Sequence, residues 1–300
     1  MSKILITGGT GLIGNQLTKQ LVEAGHIVSH LSRSPGSNDQ VKTYFWDPEN
    51  GKIDDTALAG VDSIIHLAGA RINEERWTDD RKKIILDSRI QSSALLFDAC
   101  KRNNIRLKHF VSASAIGWYP LILSEELYDE ESPAGSGFLA DVCKAWEESA
   151  DQFNEIADRV AKLRIGLVLT KEDGALTQIS RPISFYLGAG LGSGKQYMSW
   201  IHLTDVCHMF MHVLDKNLSG VYNAIGPEQT RNQDFMQTVA DVMDKPIILP
   251  NIPEFVIHII FGPSAEMVLR GVPLSSKKIM DTGFEFEYPT LTSALFSIYW

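Results

Sequence analysis

Cysteine is scarce in this chain, and the three present, Cys100, Cys143 and Cys207, are odd in number, widely spaced and set among apolar residues. That pattern argues against a disulfide framework and against a thiolate metal site. Basic residues are outnumbered, 28 Lys and Arg against 37 Asp and Glu, for a net charge of −9, and no segment concentrates them. Nucleic-acid surfaces need clustered cations to neutralise phosphates, so that partner class is excluded and a small-molecule substrate is expected. Long apolar runs are lacking too. The longest, Ile252 to Leu269, is interrupted by Glu254, His258 and Glu266 and is too short for a bilayer; it reads as an amphipathic helix. No charged-then-apolar leader stands before KILIT, so the expectation is a cytoplasmic protein that engages no membrane.

What the chain does have, at its start, is KILITGGTGLIGNQL. Lys3 to Thr7 read as a strand and Asn15 to Ala24 as a helix, with Leu17, Leu21 and Val22 at helical spacing. Between them, Gly8 suits a sharp turn, Gly11 a close approach of backbone to a pyrophosphate, and Gly14 tight packing of helix on strand. The N–H groups freed at the helix start, at Leu12 and Ile13, would face the anion. The rival reading is a tight strand-to-helix turn with no ligand.

Further strands are expected in HIVSHLSRS, TYFWD, DSIIHLAG, KHFVSASA and VAKLRIGLVL, with helices at about Asp79 to Asn103 and Gly137 to Ile156. Strand alternating with helix predicts an α/β fold, a doubly wound parallel sheet of Rossmann type. Residues 1–169 read as its dinucleotide domain and 170–300 as a smaller substrate or lid domain. Segments near 200–226, including the strand GVYNAIG, return to the sheet, and a further helix lies near Asn232 to Met243.

The second strand decides the cofactor. Where an NAD-preferring site carries an acid for the ribose 2′-OH, this chain has Ser32 and Arg33. A hydroxyl beside a guanidinium fork suits a 2′-phosphate instead. Asp47 in FWDP could meet the adenine amine, and HLAG, His66, Leu67, Ala68 and Gly69, closes a strand with small residues beside the phosphate turn. The cofactor expected is therefore NADP(H).

Taken together, TGGTGLIG, HLAG, SRIQSS and SASAIGWY resemble the extended epimerase/dehydratase branch of the short-chain dehydrogenase/reductase superfamily. RWT, DSR, WEE, GSGKQYMSWIH and TGFEFEYP are similar to its atypical group, the epimerase family proteins, along essentially the whole chain. That resemblance implies a Rossmann fold, NADP(H) binding and a small C-terminal domain of unassigned role. It also places Ser88 and Arg89 on a helix lining the cofactor cleft, Arg164 and Ile165 on the strand passing the nicotinamide, and Ser112 among the cofactor residues. For Arg89 a solvated helix face is the alternative.

The superfamily's usual catalyst, a Tyr with a Lys four residues later, is missing: no Tyr here has a Lys at that spacing, and Ala140 stands four before Lys144. Ser114 matches the family's catalytic Ser, and Tyr119 is the remaining phenol close behind it, an acid rather than a base at neutral pH. Met198 stands four residues before His202, where nucleotide-sugar relatives often carry an Arg that grips a diphosphate. His202 reads as a structural histidine, while Trp200, Arg181, Lys195 and Gln196 are further candidates for the pocket wall. Two functions follow: an oxidoreductase or epimerase-like enzyme acting on a small carbonyl or hydroxy compound, or a non-catalytic NADPH sensor whose lid addresses a protein partner.

Overall fold

The computed structural model describes residues 1–34, 41–72, 74–172 and 174–300. The first half opens with β1 (Lys3–Thr7) and α1 (Leu12–Glu23), followed by four strands with no α-helix between them, β2 (Ile27–Ser32), β3 (Lys42–Asp47), β4 (Lys52–Ile53) and β5 (Ser63–His66). Then come α2 (Asp79–Arg102), β6 (Leu107–Ala115), α3 (Phe138–Asp151), β7 (Ala157–Ile165) and β8 (Leu167–Leu169). The remainder holds α4 (Ala175–Ser184), β9 (Trp200–His202), α5 (Leu203–Asp215), β10 (Gly220–Ala224) and α6 (Asn232–Val242). It closes with α7 (Glu254–Phe261), α8 (Glu266–Leu269), α9 (Lys277–Met280) and α10 (Leu291–Tyr299).

Eight strands form one sheet in the order β10-β7-β6-β5-β1-β2-β3-β4, parallel except where β4 runs antiparallel to β3. Successive β1 side chains point to opposite faces, and both faces are apolar. Ile4 and Ile6 meet Leu17 and Leu21 of α1 and Val206 and Phe210 of α5. Leu5 faces the opposite cluster, with Leu96 and Cys100 of α2 and Ala150 of α3. Helices on both sides make this a doubly wound Rossmann-type sheet. Strand order reverses at β1, which pairs with β2 on one side and β5 on the other. A crevice opens above the strand ends at such a switch point, and that crevice is the site described below.

Beyond β7 the chain divides its loyalties. β10 rejoins the main sheet beside β7, whereas β9 pairs with β8 in a separate two-stranded ribbon. Leu176 of α4, Phe235 and Val239 of α6, and Leu291 and Leu295 of α10 close over Trp200 as a second core. The tail is tied back to the first core by buried Asp205 on α5, whose carboxylate accepts the backbone N–H groups of Glu287 and Tyr288.

Two sequence expectations change. The first helix begins at Leu12 rather than Asn15, because Gly11 is the extended residue that opens it. The stretch Ile252 to Leu269 is not one amphipathic helix: Gly262 (φ 59°) and Pro263 break it into α7, a 3-10 turn and α8. A left-handed backbone there stops the helical ladder and favours glycine. Among the described residues no helix is long and apolar enough to cross a membrane.

Candidate functional site

The glycine turn is crowded by backbone. At Gly14 a Cβ would overlap the carbonyl oxygen of Gly8 and lie 2.7 Å from the Cα of Gly9, and Gly8 itself is left-handed at φ 69°. Gly9 faces the ring of His30 with no room for a side chain. The first helical bond is Asn15 N–H to the Gly11 carbonyl at 2.8 Å, and no side chain caps α1. The N–H groups of Leu12, Ile13 and Gly14 therefore precede any intrahelical acceptor and open on the cleft these residues line. That donor set, at the positive end of a helix, suits a pyrophosphate.

The cleft measures about 1120 Å³ and runs from this turn in both directions. On the β2 side it is lined by Leu31, Ser32, Arg33 and Ser34 at the end of that strand, by Trp46 near the end of β3, and by Pro48 and Glu49 just after it. Ser32 is half-buried, Arg33 is exposed, and no carboxylate pairs with Arg33 among the described residues. Asp47 is a correction. Its carboxylate accepts from the Asn50 amide at 2.7 Å, and its neighbours on either side line the cleft in its place.

His66 is a second correction. It is wholly buried and holds the wall together instead of lining it. Its Nδ1 meets Thr7 Oγ1 at 2.8 Å and its Nε2 meets Ser92 Oγ at 3.2 Å, while Thr7 Oγ1 accepts the N–H groups of Leu67 and Ala68. Ser92 donates to the Arg89 carbonyl, which leaves it to accept from a protonated Nε2. Burial, and then the Arg89 charge, push the His66 pKa down to about 3, so the ring is neutral. The chain Ser92–His66–Thr7 thus sets the backbone of Leu67 and Ala68, and these two line the cleft together with Gly69.

At the other end, Ser114 on β6 and Ile165 on β7 reach the cleft, which Ser88, Arg89 and Trp146 also line. Ser114 Oγ donates to Glu147 Oε1 at 2.7 Å. Glu147, on the buried face of α3, also receives Nε and Nη2 of Arg164 at 2.8 and 3.1 Å. Arg164 is accordingly a correction: at 2% exposure it is locked between Glu147 and the ring of Trp118 and does not reach the cleft. Ser112 is also walled in, donating to the Ala113 carbonyl.

Tyr119 is the correction with most consequence for chemistry. It is buried away from the cleft, its hydroxyl donating to Asn223 Oδ1 at 2.7 Å and accepting from Arg164 Nη1 at 3.1 Å. Burial outweighs the nearby guanidinium and pushes the phenol up to about 12. Lys144 is turned outward to Asp141, so no Lys or Tyr side chain lines the cleft among the described residues. His202 caps α5, accepting from the Thr204 N–H, and burial lowers its pKa to about 4. Trp200 and Gln196 are buried structural residues, bonded to Thr230 and to the carbonyls of Leu191 and Val268. Met198 accepts from the Asn232 amide in the second core.

Glu147 is the residue that motif reading passed over. A signal was available: it is the acid on a helix face otherwise made of Leu139, Ala140, Cys143, Trp146 and Ala150. An acid on an apolar face needs a buried partner.

The sequence profile of the NAD dependent epimerase/dehydratase family matches residues 4–138, and that of a domain of unknown function, DUF1731, matches residues 252–298. Epimerase family proteins of Staphylococcus aureus are similar along the full length: 32% identity over 296 residues in strain MRSA252 and 34% over 297 residues in strain NCTC 8325, covering 98% of both chains in each case. Human epimerase family protein SDR39U1, solved with NADPH, superposes at a TM-score of 0.87 with 31% identity, covering 99% of this chain and 98% of that one. UDP-glucuronic acid 4-epimerase from Bacillus cereus, at 18% identity and a TM-score of 0.79, shares the fold, covering 99% of this chain and 98% of its own. The chain therefore belongs to the NAD-dependent epimerase/dehydratase family, as an epimerase family protein with a C-terminal domain of unknown function.

Proposed function

We propose that the cleft binds NADP(H) and that the protein is an oxidoreductase or epimerase-like enzyme acting on a small carbonyl or hydroxy compound. The observation that carries this reading is the single cleft joining the α1 N-terminus, the Ser32–Arg33 end and the Ser114 hydroxyl. The NADPH present in the human relative's structure supports the choice of cofactor. When bound, the dinucleotide would supply hydride chemistry, and Ser32 and Arg33 would hold its 2′-phosphate. Ser114 directs its own proton to Glu147, which leaves its lone pairs for a substrate hydroxyl. Arg164 holds that carboxylate in place, so the direction of the Ser114 O–H, and with it the side on which Oγ can accept, is fixed by the fold. With Met198 engaged in the second core where a diphosphate-gripping Arg would stand, the substrate carries no nucleotide.

The second reading, a non-catalytic NADPH sensor with a protein partner, is favoured by the lack of any Lys or Tyr on the cleft wall among the described residues. Loss of nicotinamide absorbance against a library of carbonyl compounds, and its gain against hydroxy compounds, separates the two. For the enzyme, Ser114→Ala lowers turnover about 100-fold to 10,000-fold, and Tyr119→Phe leaves it within a few-fold. Absence of turnover across both libraries, with NADPH protecting residues 170–196 from proteolysis, favours the sensor.

A further inference from the structure

The helix α7 reads EFVIHIIF, apolar on every side but for Glu254 and His258. A helix of that kind belongs inside a core. Here only Ile257 is buried, packed with Ala265 and Leu269. Phe255 and Ile259, four residues apart, share the face opposite Ile257 and are 66% and 71% exposed.

The apolar surface continues beyond the helix. Residues 185–192 and 245–252 run side by side: Lys245 Nζ donates to the Tyr186 hydroxyl at 3.1 Å, the Ile252 N–H to the Gly190 carbonyl at 2.8 Å, and the Gly192 N–H to the Ile252 carbonyl at 2.9 Å. The second run leads directly into α7. Phe185 and Leu187 on the first run, Ile248 on the second and Ile260 on the helix are each 60% exposed or more. At roughly 150–250 Å² for a large side chain, the six together present about 600–800 Å² of apolar surface. The largest such patch on a typical monomer is about 300–600 Å², while each partner of a stable complex covers about 800 Å². The patch is therefore large for a free surface and of the right size for one side of an interface.

Its charges narrow the partner. Glu254 is held by Arg270 at 3.0 Å, and His258 faces Glu266 at 3.5 Å, so the ionic groups of α7 are engaged within the chain. An anionic lipid surface would be repelled by the net charge of −9. A patch whose own charges are paired can face an identical patch across a twofold axis without opposing like charges.

We propose that this face is the contact between two copies of the chain, with α7 of one packed against α7 of the other. Phe255 and Ile259 are its central anchors, and the 185–192 and 245–252 runs flank them. The contact gives α7 the apolar cover that its own chain does not supply.

The test is sedimentation equilibrium of the full chain, which is expected to give twice the mass of one chain with a dissociation constant of about 1 μM or tighter. Phe255→Glu and Ile259→Glu replace exposed residues, and each enters the contact twice; each is expected to weaken the dimer at least roughly 30-fold with an unchanged thermal melt. Cysteine variants serve if the acidic ones fail to fold, since Cys100, Cys143 and Cys207 are buried. With diamide as the oxidant, at least one of Phe255→Cys and Ile259→Cys is expected to form a disulfide-linked dimer, and Lys52→Cys on the edge strand β4 is not. A single-chain mass at every concentration, a dimer equally strong in both Glu variants, or no cross-link in either α7 cysteine variant overturns the proposal. Flotation of a monomeric chain with phosphatidylcholine vesicles, lost in Ile259→Glu, overturns it in favour of a lipid surface.

Discussion

The two ends of the cleft are built from different materials. At the phosphate end the work is done by backbone: glycines that leave no room for a Cβ, and N–H groups at the open end of α1. At the Ser114 end it is done by buried side chains from β6, α3 and β7, each held by another. A backbone site depends on residues adjacent in sequence and tolerates little change in them. A side-chain site depends on residues far apart in sequence and fails when any partner is withdrawn, because an uncompensated polar group stays buried.

The sharpest way to break this comparison is at Gly14. Valine there would overlap Gly8 and force the turn apart, costing about 1–3 kcal/mol or more through overpacking. NADPH affinity is expected to fall roughly 100-fold, about 2.7 kcal/mol. Calorimetry beside a thermal melt separates the two effects, and an unchanged affinity would mean that the glycines only make a turn.

Glu147→Ala attacks the opposite end. It strands Arg164, which is 2% exposed, and breaking one side of a buried pair costs about 3–5 kcal/mol. Urea unfolding should show that loss, whereas Ser114→Ala, which removes one neutral donor to the same carboxylate, should cost far less. Equal costs would show that the network is not organised around Glu147.

The pH dependence tests the wall between the two ends. His66 is neutral in the fold with its pKa near 3, while in the unfolded chain the ring takes up a proton near 6.5. Below that value the unfolded state binds more protons. The stabilisation is therefore complete above pH 6.5 and is lost progressively as pH falls towards 3. His202, with its pKa lowered to about 4, contributes with the same sign. Melting temperatures measured between pH 7 and 4 should fall, and His66→Asn should flatten the slope.

The smallest expected effect is at Arg33, which is exposed. Arg33→Asp should erase or invert a preference for NADPH over NADH of at least tenfold, about 1.4 kcal/mol. Equal affinities in the unsubstituted protein would remove the 2′-phosphate assignment.

What the amino-acid sequence determined by itself is what local pattern can encode. Alternating strands and helices imposed the doubly wound sheet, and the spacing of Gly8, Gly11 and Gly14 imposed the turn, because steric exclusion at a glycine acts on the nearest residues. The absence of a Tyr with a Lys four residues on was legible for the same reason. Tertiary structure alone decided which polar groups face the cleft. Ser112 and Ser114 alternate identically on β6, yet only Ser114 finds the cleft and a carboxylate. Tyr119 and Arg164 sit at motif positions and are turned into the core to bond each other, while Arg89, which sequence left between solvent and cleft, is buried at the cleft wall. The physical reason is that a buried polar group goes where its partners are, and for Glu147 and Arg164, 17 residues apart, those partners meet only once the sheet has formed.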